Sequence, residues 1–283
     1  MKITKIKPQK LLSPTQISIA DFVINPYRGC AFGCKYCYSQ YSKYAKKTKQ
    51  PWGSFVDVKE NVKNLLEWEI KLYKPKKVLI GASTESFQPA EKEFQTTKQI
   101  LEVLKNRNIP FTILTRSPLI AEKEYTSFLN YHPENKVFFT FMFSNPQVKN
   151  ILEPKTPPLL ERAKAITKLL KYGVKIRIHI GPYIPGLEDL KSIFGLIPEG
   201  VKEVEIEFYN AKMGRLKDVI NLVKLASGAK TARQIKEIYS SESKYLKFIK
   251  ETKQTAEKIN SKNYKIFFIT PLFNDWYDRN IKY

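Results

Sequence analysis

Two rhythms of apolar residues alternate along this chain. Short apolar runs read as strands: Lys77-Val78-Leu79-Ile80-Gly81, then Pro110 to Thr115, Lys136 to Phe143, Val174 to Ile180 and Val201 to Tyr209. Between them apolar residues recur at helical spacing. Val62, Leu65, Leu66 and Ile70 mark one helix face, and Phe94, Thr97, Leu101 and Leu104 mark the next. Helices are also predicted over 118–131, over 157–172 with Leu160, Ala163, Ile166 and Leu170 on one side, and over 187–196. Gly173 stands where a helix stop belongs. An earlier run, Ile17 to Ile24, alternates toward a first strand that ends at Asn25-Pro26. Apolar strands separated by helices imply right-handed βαβ units and a parallel sheet. The expected class is α/β, a partial (β/α)6 barrel, with its working face at the carboxyl ends of the strands.

Both ends of the chain depart from this rhythm. Residues 1–16 are basic, contain Pro8 and Pro14, and read as an irregular leader. The repeating core is expected over 17–210, and a mainly helical C-terminal extension that packs on the barrel over 211–283. Within the extension, 210–228 shows no clear pattern. Residues 229–260 read as one long helix with a break near Ser240-Ser241. Ile235, Ile238, Tyr245, Ile249, Ala256 and Ile259 line its core face, and Lys236, Lys244, Lys247, Lys250 and Lys258 form a solvated one. Tyr264 to Ile269 reads as a last strand. The tail, with Trp276, Tyr277, Arg279 and Tyr283, is suited either to stacking on bases or to closing the sheet edge.

Composition narrows the class. A chain of 283 residues can bury a sizeable core. Its net charge of +22 favours polyanionic partners, nucleic acid above all. The excess of Lys over Arg would also follow from an AT-rich coding sequence, so a plain solvated surface is the alternative. The basic, aromatic stretch Tyr41 to Gln50 lies close in sequence to the most reactive segment of the chain and is a candidate for the mouth of a site. No apolar run is long enough to span a bilayer, and the basic N-terminus has no apolar signal region. The cysteines are an odd, clustered set of three, a poor disulfide framework. The expected setting is therefore reducing and cytoplasmic, without a membrane.

Those cysteines are Cys30, Cys34 and Cys37, spaced C-x3-C-x2-C just after the first predicted strand, in Asn25-Pro26-Tyr27-Arg28-Gly29-Cys30-Ala31-Phe32-Gly33-Cys34-Lys35-Tyr36-Cys37-Tyr38. Three thiolates can hold three corners of a cubic iron–sulfur cluster and leave one iron open. Zinc is the competitor, but the only histidines, His132 and His179, have no ligand spacing to the cysteines.

This motif, with an aromatic before its last cysteine, resembles that of the radical S-adenosylmethionine (radical SAM) superfamily. Its flanks are similar to the spore photoproduct lyase-related branch, as are Gly81 to Glu91, Leu114-Thr115-Arg116-Ser117, Leu152 to Pro157 and Pro182 to Gly186. The resemblance covers roughly 17–210. It implies that Cys30, Cys34 and Cys37 bind a [4Fe–4S] cluster whose open iron is chelated by S-adenosylmethionine (SAM). A low-potential donor such as flavodoxin or ferredoxin would supply one electron. SAM cleavage would then give a 5′-deoxyadenosyl radical that takes hydrogen from a substrate.

By position, the resemblance gives Ser83 and Thr84 to the SAM amino group, Arg116 and Ser117 to its carboxylate, and Ser144 to its ribose. Arg177 is a further polar candidate, and Tyr36, Tyr183 and Ile184 would flank the adenine. Spore photoproduct lyase uses a cysteine outside the cluster motif as hydrogen donor. No fourth cysteine exists here, which leaves Tyr36 and Tyr38 as candidates for that role and puts literal photoproduct reversal in doubt. The expected substrate is a nucleic-acid base, in DNA more than RNA, for lesion repair or modification. Radical modification of a ribosomally made peptide or protein and a non-enzymatic metal-binding role are the alternatives.

Overall fold

The computed structural model describes residues 1–213 and 215–273. Its frame is a run of parallel strands in chain order: β1 (Phe22–Ile24), β2 (Val78–Ile80), β3 (Phe111–Thr115), β4 (Lys136–Thr140), β5 (Ile176–Tyr183), β6 (Glu203–Phe208) and β7 (Lys265–Ile269). Each pairs in parallel with the next. Helices Val62–Tyr73, Thr96–Asn106, Lys123–Leu129, Leu159–Lys171 and Leu190–Leu196 fall between successive strands. This is a curved βα sheet of the partial-barrel class, extended at one edge by β7 and at the other by the antiparallel pair Ser13–Pro14.

The strands form where Val, Ile, Leu and Phe concentrate, and the outer layer of helices covers them. Ile80, Ile113, Val137, Phe139, Ile178, Ile180, Val204 and Ile206 are fully buried. Against them lie Leu66, Ile100, Leu101, Leu104, Ile166 and Leu169 of the helices. Burial of side chains this size stabilises by about 1.5–3 kcal/mol each.

The two ends differ from the sequence expectation. The leader is not irregular: Lys2–Ile6 is a strand, parallel to Phe55–Lys59, which also pairs antiparallel with Tyr27–Gly29. This small second sheet holds down the segment leading into the cysteines. The stretch 41–50 contains a short helix, Lys43–Thr48, capped by the Ser42 side chain. In the C-terminal part, Leu216–Ile238 is helical, with non-helical dihedrals at Gly228, and Glu242–Ile259 follows after a break capped by Ser241. The expected break at Ser240-Ser241 is therefore where one helix ends and the next begins. Trp276, Tyr277, Arg279 and Tyr283 of the tail, suited from sequence to base stacking or edge closure, lie outside the described residues. Among the described residues no helix is long and apolar enough to cross a membrane.

Candidate active site

The carboxyl ends of the strands open into a cavity of about 150 Å³. On one side it is lined by Cys30, Cys34, Cys37, Tyr36 and Tyr38 with Ser83, Thr84, Glu85 and Arg116. On the β5–β6 side it is lined by His179, Gly181, Glu207, Asn210 and Met213.

The cysteine loop is shaped by its backbone. Gly33 has φ +57 and Gly53 φ +88, and a Cβ on Gly33 would come within 2.8 Å of the Gly53 Cα. Only glycine permits this backbone-to-backbone approach at positive φ. Lys35 N–H donates to Leu152 O (2.8 Å), and Thr84 Oγ1 donates to Gly29 O (2.6 Å). The loop is thus pinned from two sides. Cys30 and Cys34 are buried and Cys37 half-buried. Burial pushes all three thiols up, Cys30 to about 11.

The residues present fit an iron–sulfur cluster. Cys30, Cys34 and Cys37 line one cavity. A cube asks one thiolate per iron and so spreads its ligands, whereas a zinc ion draws them to one point.

Behind the loop lies a buried charge cluster. Glu153 binds Arg116 and the Tyr36 hydroxyl through Oε1, and Arg162 through Oε2 (2.5 Å to Nη2). Arg116 Nη1 also reaches Tyr36 Oη at 2.8 Å and Cys34 Sγ at 3.3 Å. Burial alone would raise the Glu153 carboxyl; the two guanidiniums hold it down to about 2.

Across the cavity, a ladder of alternating charge climbs the inner face of β4, β5 and β6. Lys136 Nζ and Arg177 Nε each lie 2.7 Å from Glu203 Oε2. Arg177 Nη1 lies 3.1 Å from Glu205 Oε2, and His179 Nδ1 2.9 Å from Glu205 Oε1. His179 Nε2 lies 3.3 Å from Glu207 Oε2, at the cavity. Burial pulls the imidazole down, but hydrogen bonds to Glu205 and Glu207 outweigh it and hold His179 up to about 9.

Of the residues named from sequence, Cys30, Cys34, Cys37, Tyr36, Tyr38, Ser83, Thr84 and Arg116 meet at the cavity. Ser117, Ser144, Arg177, Tyr183 and Ile184 are absent from its lining. Ser117 accepts from Leu119 N–H and caps the turn Pro118–Ala121. Ser144 donates to Glu188 (2.9 Å), whose carboxyl burial pushes up to about 6. Arg177 is spent near the amino end of β5, on Glu203 and Glu205 and over the Phe267 ring at 3.7 Å. Tyr183 stacks on Phe248 and Ile184 is fully buried. The Tyr36 hydroxyl is held by Glu153 and Arg116, while Tyr38 Oη donates to Ala82 O at 2.7 Å. Sequence reading missed His179 and Glu207 as cavity residues. The signal was there: Glu203, Glu205 and Glu207 repeat at period two in a buried strand, which demands facing cations.

Comparison with known proteins finds likeness at the level of family and fold. The family model of the radical SAM superfamily matches residues 24–196. An uncharacterised protein of Methanocaldococcus jannaschii is 32% identical over 76% of this chain and 80% of its own length. An uncharacterised protein of Mycobacterium tuberculosis is 26% identical over 59% of this chain and 51% of its own length. Among solved structures, a mutant spore photoproduct lyase with bound AdoMet and dinucleoside spore photoproduct superposes with a TM-score of 0.66. It is 14% identical and covers 94% of this chain and 81% of that one, a likeness of fold.

Proposed function

The chain belongs to the radical SAM superfamily, whose cofactors are a [4Fe–4S] cluster and SAM, and from that premise we propose that it acts on a nucleic-acid base, in DNA ahead of RNA. The cluster would be held by Cys30, Cys34 and Cys37, and when bound it would supply one-electron chemistry for the reductive cleavage of SAM. The chain's own residues do the rest. Asn25 fixes the 81–85 turn, its Oδ1 accepting from Ser83 N–H at 2.9 Å, so that this segment faces the cysteines. In this reading Ser83 and Thr84 meet the amino group of SAM, and the Arg116 face toward the cavity meets its carboxylate. Ser117, Ser144, Tyr183 and Ile184 lie outside the cavity lining, and Arg177 is bound to Glu203 and Glu205 near the amino end of β5. Tyr38, which lines the cavity, stands as the hydrogen donor that the missing fourth cysteine leaves open, and buried Tyr36 positions Arg116.

One observation carries the choice of substrate: the rim beside the cysteine loop is basic and aromatic. Lys35, Lys43, Lys46, Lys47 and Lys49 are exposed, Arg28 stacks on Tyr44 at 4.9 Å, and Arg215 stacks on Tyr41 at 5.0 Å. Tyr41 Oη donates to Asp218 at 2.8 Å and so ties the start of the helix Leu216–Ile238 to this rim. Phosphates would meet the lysines while a single base enters the cavity. A fluorescence anisotropy titration with a DNA oligonucleotide at graded salt tests this. Binding should weaken steeply with salt, and replacing Lys43, Lys46 and Lys47 by Ala should flatten the slope by about 0.9 per lost phosphate contact. Absence of binding at low salt, or SAM cleavage stimulated by peptides and not by DNA, would defeat the nucleic-acid reading.

A further inference from the structure

Glu153 and Arg162 have no side-chain exposure, and Arg116 retains only 17%. Within this trio the two guanidiniums outweigh the single carboxylate, and the other buried carboxylate beside the cysteines, Glu85, accepts from Arg116 N–H at 3.0 Å. The Tyr36 hydroxyl donates to Glu153 Oε1 and so adds no charge to the trio. Arg116 Nη1 stands 3.3 Å from Cys34 Sγ, within hydrogen-bond reach of sulfur. Thr156 Oγ1 donates to Glu153 Oε2 (2.9 Å) and accepts from Arg162 Nη2 (2.8 Å), and Arg162 Nε donates to Pro157 O (3.0 Å). Every member is therefore held by at least one further group, and Arg116 has little freedom to swing away from the sulfur.

A cluster on three thiolates gains one negative charge when it takes up an electron. A fixed positive charge and a donated hydrogen bond at one thiolate favour the more negative, reduced state, and a buried location strengthens both. We propose that Arg116, clamped by Glu153 and Arg162, is a positioning residue that raises the reduction potential of the cluster through Cys34. The step is electron uptake alone, from a one-electron donor of the flavodoxin or ferredoxin class. No proton moves, because the guanidinium is already charged. This inference rests on the reading that Cys30, Cys34 and Cys37 hold the cluster.

A redox titration of the anaerobically reconstituted protein, followed by electron paramagnetic resonance of the reduced cluster, tests it. Arg116→Gln should shift the midpoint to more negative potential, by at least a tenfold change in the reduced-to-oxidised ratio at fixed poise, about 59 mV for one electron. Arg116→Lys keeps the charge but loses the planar fork, and its shift should be smaller. Arg162→Met removes charge without touching sulfur and should shift the midpoint in the same direction by less. Iron and sulfide content separates the two levels of the argument. If the wild-type chain takes up no cluster, the reading of the cysteines fails. If Arg116→Gln carries a full cluster at the wild-type potential, the role of Arg116 fails. Should Arg116→Gln not fold, a wild-type midpoint in Arg162→Met overturns the proposal equally.

Discussion

On the cysteine side of the cavity a carboxylate, Glu153, is clamped between two guanidiniums; on the β5–β6 side an imidazole, His179, is clamped between two carboxylates. In each case burial works against the charged form, and in each case the flanking charges win. Glu153 is held down to about 2 and His179 up to about 9. The outward results are opposite. The first clamp presents Arg116 to a cysteine sulfur, while the second presents the Glu207 carboxylate to the cavity. Buried ion triads of this kind add little net stability, but removing one member leaves an uncompensated charge. Their value lies in fixing which charge faces the reacting groups.

The comparison breaks most severely at the cysteines themselves. Cys34→Ala should bring SAM cleavage and iron uptake to background, read by iron analysis and product chromatography, with the β5–β6 side intact. Next comes the first clamp: Glu153→Leu strands Arg116 and Arg162 and should cost about 3–5 kcal/mol in denaturant unfolding.

The second clamp should show itself through pH. His179 has a raised folded value, about 9 against 6.5, so its contribution is fully present below pH 6.5 and is lost as pH rises through about 9. Two and a half units correspond to about 3 kcal/mol. Stability measured between pH 6.5 and 9 should therefore fall in the wild type, and that part of the slope should vanish in His179→Gln. The first clamp runs the other way: Glu153, with its depressed value, contributes above pH 4.5 and loses that contribution as pH falls toward 2. The smallest effect belongs to the brace between loops. Thr84→Val leaves Gly29 O without its donor and should cost about 1–3 kcal/mol, with iron uptake slowed rather than lost.

Why one side was legible in the sequence and the other was not follows from how each is built. Cys30, Cys34 and Cys37 lie within eight residues, and Ser83, Thr84 and Arg116 follow directly on strands that read clearly as Val78–Ile80 and Phe111–Thr115. His179 and Glu205 meet only through the parallel register of β5 and β6, and no local pattern encodes that pairing. For the same reason Arg177, named as a cofactor contact because it carries charge in a core strand, is taken up by carboxylates of the neighbouring strand. The parallel barrel itself was readable because most of its strands are apolar runs and β6 alternates apolar residues with Glu203, Glu205 and Glu207. The strand Lys2–Ile6 was not: it is exposed along nearly its whole length, and its order comes from pairing with Phe55–Lys59, some fifty residues away. The part of the helix Leu216–Ile238 before Gly228 hid behind a weak apolar stripe, while the part after it falls within the helix expected from 229 onward.

The most direct test of the proposed function is 5′-deoxyadenosine release by the anaerobically reconstituted, dithionite-reduced protein, assayed with SAM alone, with a DNA oligonucleotide and with a peptide mixture. A chain carrying about four irons should cleave SAM, faster with DNA than with peptide, and the DNA stimulation should fade as salt is raised. No cleavage by a protein with a full cluster, or stimulation by peptide alone, would contradict it.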